Sequence, residues 1–255
     1  MTNINGFRLV GDLTHVMAVL VLMWKIWETQ SCVGISGRTQ VLYAIVFISR
    51  YLDLFSNFVS VYNTCLKVFY ILATLGTIGL MYKTRATYDK KNDRFRAEIL
   101  IVSALLLSLA INHVYEFLEI MWTFSIYLEA VALVPQFYMT KKIGHIESIS
   151  AFYIFALGSY RALYILNWVY RYYFEGFYDL IAVMGGCLQT ILFSAFFCWY
   201  QYRKFATLQL SREIFISETM PRSDTNLEKA PAVEGPPEVL VVDDVFVKDT
   251  ESPRS

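Results

Sequence analysis

Apolar residues along this chain gather in seven blocks separated by short polar connections. The blocks lie at ~8–27, ~36–55, ~62–81, ~95–112, ~119–138, ~152–170 and ~181–201, with edges uncertain by ~2–4 residues. About 20 helical residues cover the ~30 Å hydrocarbon core of a bilayer, so each block predicts a membrane-spanning helix. The fourth block, from Ala97 to Ile111, is the cleanest; the second and sixth are the most interrupted by polar groups. The pattern predicts an all-α membrane protein, with a seven-helix transmembrane domain over residues 1–204. Residues 205–255 break the pattern. They hold Pro221, Pro231, Pro236, Pro237 and Pro253, and their acids outnumber their bases, which predicts a disordered acidic cytosolic tail. Within it, Val239 to Val247 is an apolar patch broken by Asp243 and Asp244, read as a solvated linker in preference to a partner motif. Ser217 and Ser223 each adjoin an acidic residue, a setting open to phosphorylation.

Composition narrows the class. The chain is 56% hydrophobic and 17% charged, less charge than a soluble domain of this length carries. A net charge of +0 gives no reason to expect nucleic acid. Cys32, Cys65, Cys187 and Cys198 form no Cys-x-x-Cys pair, and His15, His113 and His145 form no His-Glu-x-x-His. No metal or cofactor is therefore expected, and the cysteines read as small buried hydrophobes. The first block lacks a basic start and a small-residue cleavage site, so it reads as a span and not a signal peptide.

Orientation follows from Lys and Arg. One set of connections holds Lys25, Arg38, Lys83, Arg85, Lys90, Lys91, Arg94, Arg96, Lys141, Lys142, Arg203 and Lys204; the other holds only Arg8 and Arg171, at span edges. The positive-inside rule then predicts a luminal N-terminus and a cytosolic C-terminus.

The sixth block carries two arginines. Arg161, Tyr164, Trp168 and Arg171 fall at i, i+3, i+7 and i+10 and share one helix face. A guanidinium at mid-bilayer costs ~2.5–3.5 kcal/mol on insertion scales. Two readings are open: structural ion bridges within a bundle, or an aromatic-lined slot for anions. Depth favours the slot. With the N-terminus luminal, Arg8, Asp12, His15, Arg50, Asp53, Glu119, Glu129, Arg161, Arg171 and Asp179 all fall in the luminal half. Such groups face a cavity or one another. Arginine grips carboxylates bidentately, and Trp122 and Trp168 suit an alkyl or cationic chain. The pocket suits a zwitterionic, mostly anionic ligand. Some carboxylates must neutralise arginines, and Asp53 or Glu129 is expected to do so in the empty state. Lys67 reads as a structural partner in preference to a ligand contact. His113 and His145 read as surface residues. Faint similarity between the halves, with Arg50 and Arg161 each late in a span, suggests two three-helix units joined by the fourth span.

The runs Arg50-Tyr51-Leu52-Asp53-Leu54-Phe55, Tyr62-Asn63-Thr64, Ala86-Thr87-Tyr88-Asp89, Trp122 to Glu129 and Phe174-Glu175-Gly176-Phe177 closely resemble the ER lumen protein-retaining (KDEL) receptors. The resemblance covers ~1–204. It implies seven helices in a SWEET-like 3+1+3 arrangement in endoplasmic reticulum and Golgi membranes. It implies capture, at mildly acidic Golgi pH, of soluble ER proteins by a C-terminal Lys-Asp-Glu-Leu-type signal, an address read by a receptor. Return by retrograde coat machinery is implied as well. By the same resemblance the ligand positions are Arg8, Arg50, Tyr51, Asp53, Glu119, Trp122, Tyr160, Arg161, Tyr164, Asn167, Trp168, Arg171 and Asp179. Arg50 would take the terminal carboxylate, Glu119 the signal lysine, and Arg8 and Arg171 the acidic side chains. Tyr160 and Glu129 would form a proton-coupled lock near His15. An extended tetrapeptide spans ~13 Å, close to the ~15 Å reach of the stripe on the sixth block.

Three departures stand out. Ala195 occupies a position where the family usually has Asp; Val114 and Tyr115 replace an Asp-Phe-like pair; and Arg203-Lys204 precedes a long acidic extension where a short lysine-bearing tail is usual. They bear on the return step more than on ligand capture. A SWEET-like small-solute transporter is the alternative, though fixed charges in a pore argue against it. No Asn-Pro-x-x-Tyr marks a G-protein-coupled receptor, and no paired catalytic set marks an intramembrane hydrolase.

Overall fold

A computed structural model describes residues 5–56, 58–144 and 148–219. The expectations for His145, Ser223 and Val239 to Val247 fall outside the described residues. The chain divides into two units, Met1–Ala206 and Thr207–Ser255.

Within the described residues the first unit is helical: α1 (Gly6–Thr29), α2 (Gly37–Arg50), α3 (Val61–Lys83), α4 (Ala97–Ala110), α5 (Phe117–Val131), α6 (Val134–Ile143), α7 (Ser148–Glu175) and α8, which begins at Leu180. Local chemistry sets the ends. The side chains of Asn5, Ser36 and Ser60 accept from the backbone N–H of Arg8, Thr39 and Asn63 and so cap α1, α2 and α3. The second block is not one α-helix. It stops at Arg50 and continues as a 3-10 turn over Leu52–Phe55. The fifth block is broken as well. Pro135 has no N–H to offer the Val131 carbonyl, so α5 ends at Val131 and α6 restarts with the proline in its first turn.

By length and composition, four stretches can cross a membrane: Gly6–Thr29, Val61–Lys83, Phe117–Ile143 and Leu180–Ile216. The helices α2 and α4 have 14 residues each. The α7 helix has 28, but its arginines and polar side chains lower its hydropathy. Outward-facing apolar residues such as Leu72, Ile99, Leu106 and Ile191 give the unit a greasy exterior, as a bilayer solvent requires.

Packing places α1 against α7 and α3, α2 against α3 and α5, and α4 against α5. Leu22, Ile26, Leu42, Phe47, Leu128, Ile154 and Leu157 are sealed between them. The α8 helix seats Phe193 and Phe196 on Phe137 of α6, at centroid distances of 5.7 and 4.2 Å.

At the end carrying the 31–39 and 84–96 connections, buried Asp93 accepts from Ser36 Oγ at 2.9 Å, Tyr88 Oη at 2.5 Å and the Arg38 backbone N–H at 3.3 Å. Gln136 Oε1 accepts from the Ser36 N–H at 2.8 Å, so α6 is tied to the same loop. In the second unit, 207–219 are helical, the last part of α8 (Leu180–Thr219). Helix therefore extends beyond residue 204, where the sequence pattern set the start of a disordered tail. No glycine or proline occurs between residue 207 and Pro221, so nothing local stops it.

Candidate functional site

Six helices converge on one cavity at the opposite end, with a volume of about 290 Å³, α8 touching it through Ala182. The α1 helix supplies Arg8, Asp12 and His15 from successive turns of one face. The end of α2 supplies Arg50 and Tyr51, α3 supplies Asn63, Lys67 and Tyr70, and α5 supplies Trp122 and Glu129. The α7 helix contributes Tyr160, Arg161, Tyr164, Trp168 and Arg171, and Asp179 enters from the residue before α8. The lining holds five cations, Arg8, Arg50, Lys67, Arg161 and Arg171, against three carboxylates, Asp12, Glu129 and Asp179.

The floor is an ionic knot. Glu129 is 1% exposed and forms ion pairs with both Arg50 and Arg161, and it accepts from the Tyr160 hydroxyl. Arg161 Nη2 also donates to Tyr160 Oη at 2.9 Å, and Arg50 Nε donates to Ser125 Oγ at 3.0 Å. One carboxylate thus holds two guanidiniums from different helices. Arg50 Nη2 and Arg161 Nε remain buried donors without a hydrogen-bond partner among the described residues. Such spare donors suit an incoming carboxylate. Beside the knot the His15 ring lies parallel to Tyr160, with centroids 4.0 Å apart and 4° between planes, and stacks on Tyr70 at 4.5 Å.

The walls carry two more charged groups. Asp12 is 4% exposed and accepts from the hydroxyls of Tyr62, at 2.8 Å, and Tyr164; Arg8 Nε stands 3.9 Å away. Lys67 Nζ grips both oxygens of Asp53, at 2.8 and 2.7 Å. At the mouth, Arg171 Nε donates to Glu175 Oε2 at 2.8 Å, and its guanidinium lies 3.8 Å from the Phe177 ring centroid. Trp168 packs over Gly186 of α8, where a Cβ would overlap the indole.

Most residues singled out from the sequence meet here: Arg8, His15, Arg50, Tyr51, Trp122, Glu129, Tyr160, Arg161, Tyr164, Trp168, Arg171 and Asp179. Three do not line the cavity. Asn167 is 3% exposed and accepts from Asn5 Nδ2 at 2.7 Å, joining α7 to the cap of α1. Asp53 and Glu119 line an adjoining cavity of about 450 Å³, which shares Arg50, Trp122 and Asp179 with the main one. That second cavity also holds Glu116 and His113, whose Nε2 lies 3.3 Å from Asp179 Oδ1. Glu129 neutralises arginines as expected, whereas Asp53 is engaged by Lys67. Sequence reasoning underrated Asp12, which sits at i+4 from Arg8 on the cavity face, and passed over Tyr62, Tyr70 and Glu175. The only signal for the tyrosines is helical spacing, which every aromatic on a buried face shares.

The chain's similarities point one way. Residues 31–171 match the family model described as ER lumen protein retaining receptor. The chain is 54% identical over 214 residues to ER lumen protein-retaining receptor erd-2.1 of Caenorhabditis elegans, covering 84% of this chain and 99% of that protein. It is 54% identical over 197 residues to ER lumen protein-retaining receptor 2 of Homo sapiens, covering 77% and 93%. The Drosophila melanogaster ER lumen protein-retaining receptor shows the same 54% identity over 197 residues.

Proposed function

The chain belongs to the ER lumen protein-retaining receptors, and from that premise we propose that its cavity captures soluble ER proteins by a C-terminal Lys-Asp-Glu-Leu-type signal and returns them from the Golgi. The observation that carries this reading is the charge of the cavity. Its lining has five cations against three carboxylates, an excess of two that carboxylates just outside the lining, Asp53 on Lys67 and Glu175 on Arg171, offset while it is empty. A Lys-Asp-Glu-Leu terminus has three carboxylates and one ammonium, an excess of two of the opposite sign. Arg50 and Arg161, each with a spare buried donor, take the terminal carboxylate. Arg8 and Arg171 take the acidic side chains. The signal lysine reaches toward Glu119 and Asp179 in the adjoining cavity, past Trp122, which borders both. A peptide lacking the terminal carboxylate leaves the spare buried donors of Arg50 and Arg161 unpaired, and that penalty gives specificity.

In this reading the chain crosses the membrane seven times in a SWEET-like 3+1+3 arrangement. Its N-terminus and cavity face the lumen, and its C-terminus faces the cytosol, in endoplasmic reticulum and Golgi membranes. The 84–96 connection, with Arg85, Lys90, Lys91, Arg94 and Arg96, lies on the cytosolic side, and the loop ahead of α2 lies there with it. The tail from 205 is cytosolic and acidic. His15, stacked between Tyr160 and Tyr70 beside the knot, makes capture pH-dependent. Its protonation adds a positive charge beside the knot that the peptide carboxylates offset, so acid favours binding and neutral pH favours release. Glu129 and Tyr160 transmit that change to the two arginines. Family membership gives the solute-transporter alternative no support.

The test is retention in cells. In cells stripped of their own receptors, expression of this chain is expected to stop secretion of a soluble reporter ending in Lys-Asp-Glu-Leu, and to leave a reporter with one extra C-terminal residue secreted. Equal secretion of both reporters contradicts the proposal.

A further inference from the structure

At the mouth of the cavity stands a residue that is not part of its lining. The last residue of α7, Glu175, places its carboxylate on Arg171 Nε at 2.8 Å. The two side chains are 22% and 18% exposed, so the pair is partly withdrawn from water. A carboxylate at a helix C-terminus meets the negative end of the helix dipole and is disfavoured there unless a cation compensates. Arg171 is that cation. It is held from a second side by the Phe177 ring, and the intervening Gly176 takes φ +63 to fold Phe177 back. The Phe177 N–H donates to the Arg171 carbonyl at 3.2 Å, which fixes the turn. Arg171 therefore stands at the rim already carrying a protein carboxylate on the edge that a ligand carboxylate needs.

We infer that Glu175 is a placeholder for the acidic side chain of the ligand, a positioning residue that sets affinity and selectivity at the rim through Arg171. The inference rests on the retention-signal reading. An incoming Asp or Glu side chain displaces Glu175 from Arg171, so the net gain is the difference between two carboxylates on one guanidinium. A ligand with an amide at that place cannot displace it and meets a rim already satisfied. Glu175 thus lowers the affinity for the correct peptide and narrows its margin over an amide-bearing one, because Arg171 is never left unpaired. Phe177 keeps the guanidinium in place during the exchange.

The experiment titrates fluorescent peptides ending in Lys-Asp-Glu-Leu, Lys-Asn-Glu-Leu and Lys-Asp-Gln-Leu against the full chain in detergent. The variants are wild type, Glu175→Gln, Arg171→Gln and the double variant. Glu175→Gln is expected to bind Lys-Asp-Glu-Leu roughly two- to five-fold more tightly, the scale of a partly exposed ion pair. The gain should disappear in the Arg171→Gln background and for one of the two amide peptides, which identifies the side chain that reaches the rim. A merely structural role predicts unchanged or weaker binding, so a gain is the discriminating readout. Unchanged or weaker binding by Glu175→Gln, or a gain that survives removal of Arg171, overturns the placeholder role alone. A wild-type chain that binds none of the three peptides overturns the retention reading and this inference with it.

Discussion

Glu129→Gln is the sharpest perturbation the structure offers. The substitution preserves shape and an acceptor for Tyr160, but it removes the negative charge shared by Arg50 and Arg161. Glu129 keeps 1% of its side chain exposed, Arg161 10% and Arg50 17%. Breaking a buried ion pair by removing one partner costs about 3–5 kcal/mol, because the survivor is left uncompensated. Here two survivors remain. Arg50 is the more exposed and keeps its bond to Ser125 Oγ at 3.0 Å, which limits its share. A loss of about 4 kcal/mol is expected, dominated by Arg161. At about 2–4 °C per kcal/mol for a chain of this size, the melting temperature falls by ~8–16 °C. The assay is fluorescence-detected thermal unfolding of the full chain in detergent, with Glu116→Gln as control. Glu116 is an exposed carboxylate just ahead of the same helix, and its loss should shift Tm by less than about 2 °C. A Glu129→Gln shift as small as the control's refutes the claim that this carboxylate holds the knot together.

Other expectations follow from the same geometry. His15→Ala should abolish the acid-enhanced part of peptide binding and leave neutral-pH affinity within about two-fold, since the ring packs on Tyr160 and Tyr70; an unchanged pH profile removes its proposed role. Asp53→Ala and Lys67→Ala should show a coupling of about 1–3 kcal/mol in a double-mutant cycle of thermal stability, because Lys67 meets both carboxylate oxygens; additive losses contradict the pairing. Gly186→Leu should push Trp168 out of place and weaken peptide binding at least about ten-fold, with a stability loss of ~1–3 kcal/mol. Asp93→Ala, at the far end of the unit, should cost about 2–3 kcal/mol of stability through three lost hydrogen bonds and leave peptide affinity unchanged.

The site was more legible than its details. A stripe of Arg161, Tyr164, Trp168 and Arg171 can be read from sequence because helical spacing alone sets the face, and all four reach the cavity. Charges inside apolar blocks point the same way for Arg50 and Glu129, since the bilayer leaves them nowhere else to go. Pairing is a different matter. Whether Asp53 meets an arginine or Lys67 depends on how the 3-10 turn at Leu52–Phe55 presents it to α3, and no periodicity encodes that. Asn167 shares the helix with the stripe yet bonds Asn5, because it lies one residue off that face, toward α1. Pro135 stands in plain view in the fifth block, and its missing N–H is what splits α5 from α6. Glu175 looked like part of a connection. The α7 helix runs on to Glu175, which places it at i+4 from Arg171 and on the guanidinium.

The account turns on buried guanidiniums that grasp the free end of an acidic peptide. The most direct measurement compares the affinity of the full chain for a Lys-Asp-Glu-Leu-ended peptide with that for the same peptide amidated at its C-terminus, in wild type and in Arg50→Gln. The account predicts at least about a hundred-fold preference for the free carboxylate in wild type, the scale of a charge-assisted buried pair, and most of that preference lost in Arg50→Gln. Equal affinity for the two peptides in the wild-type chain would contradict it.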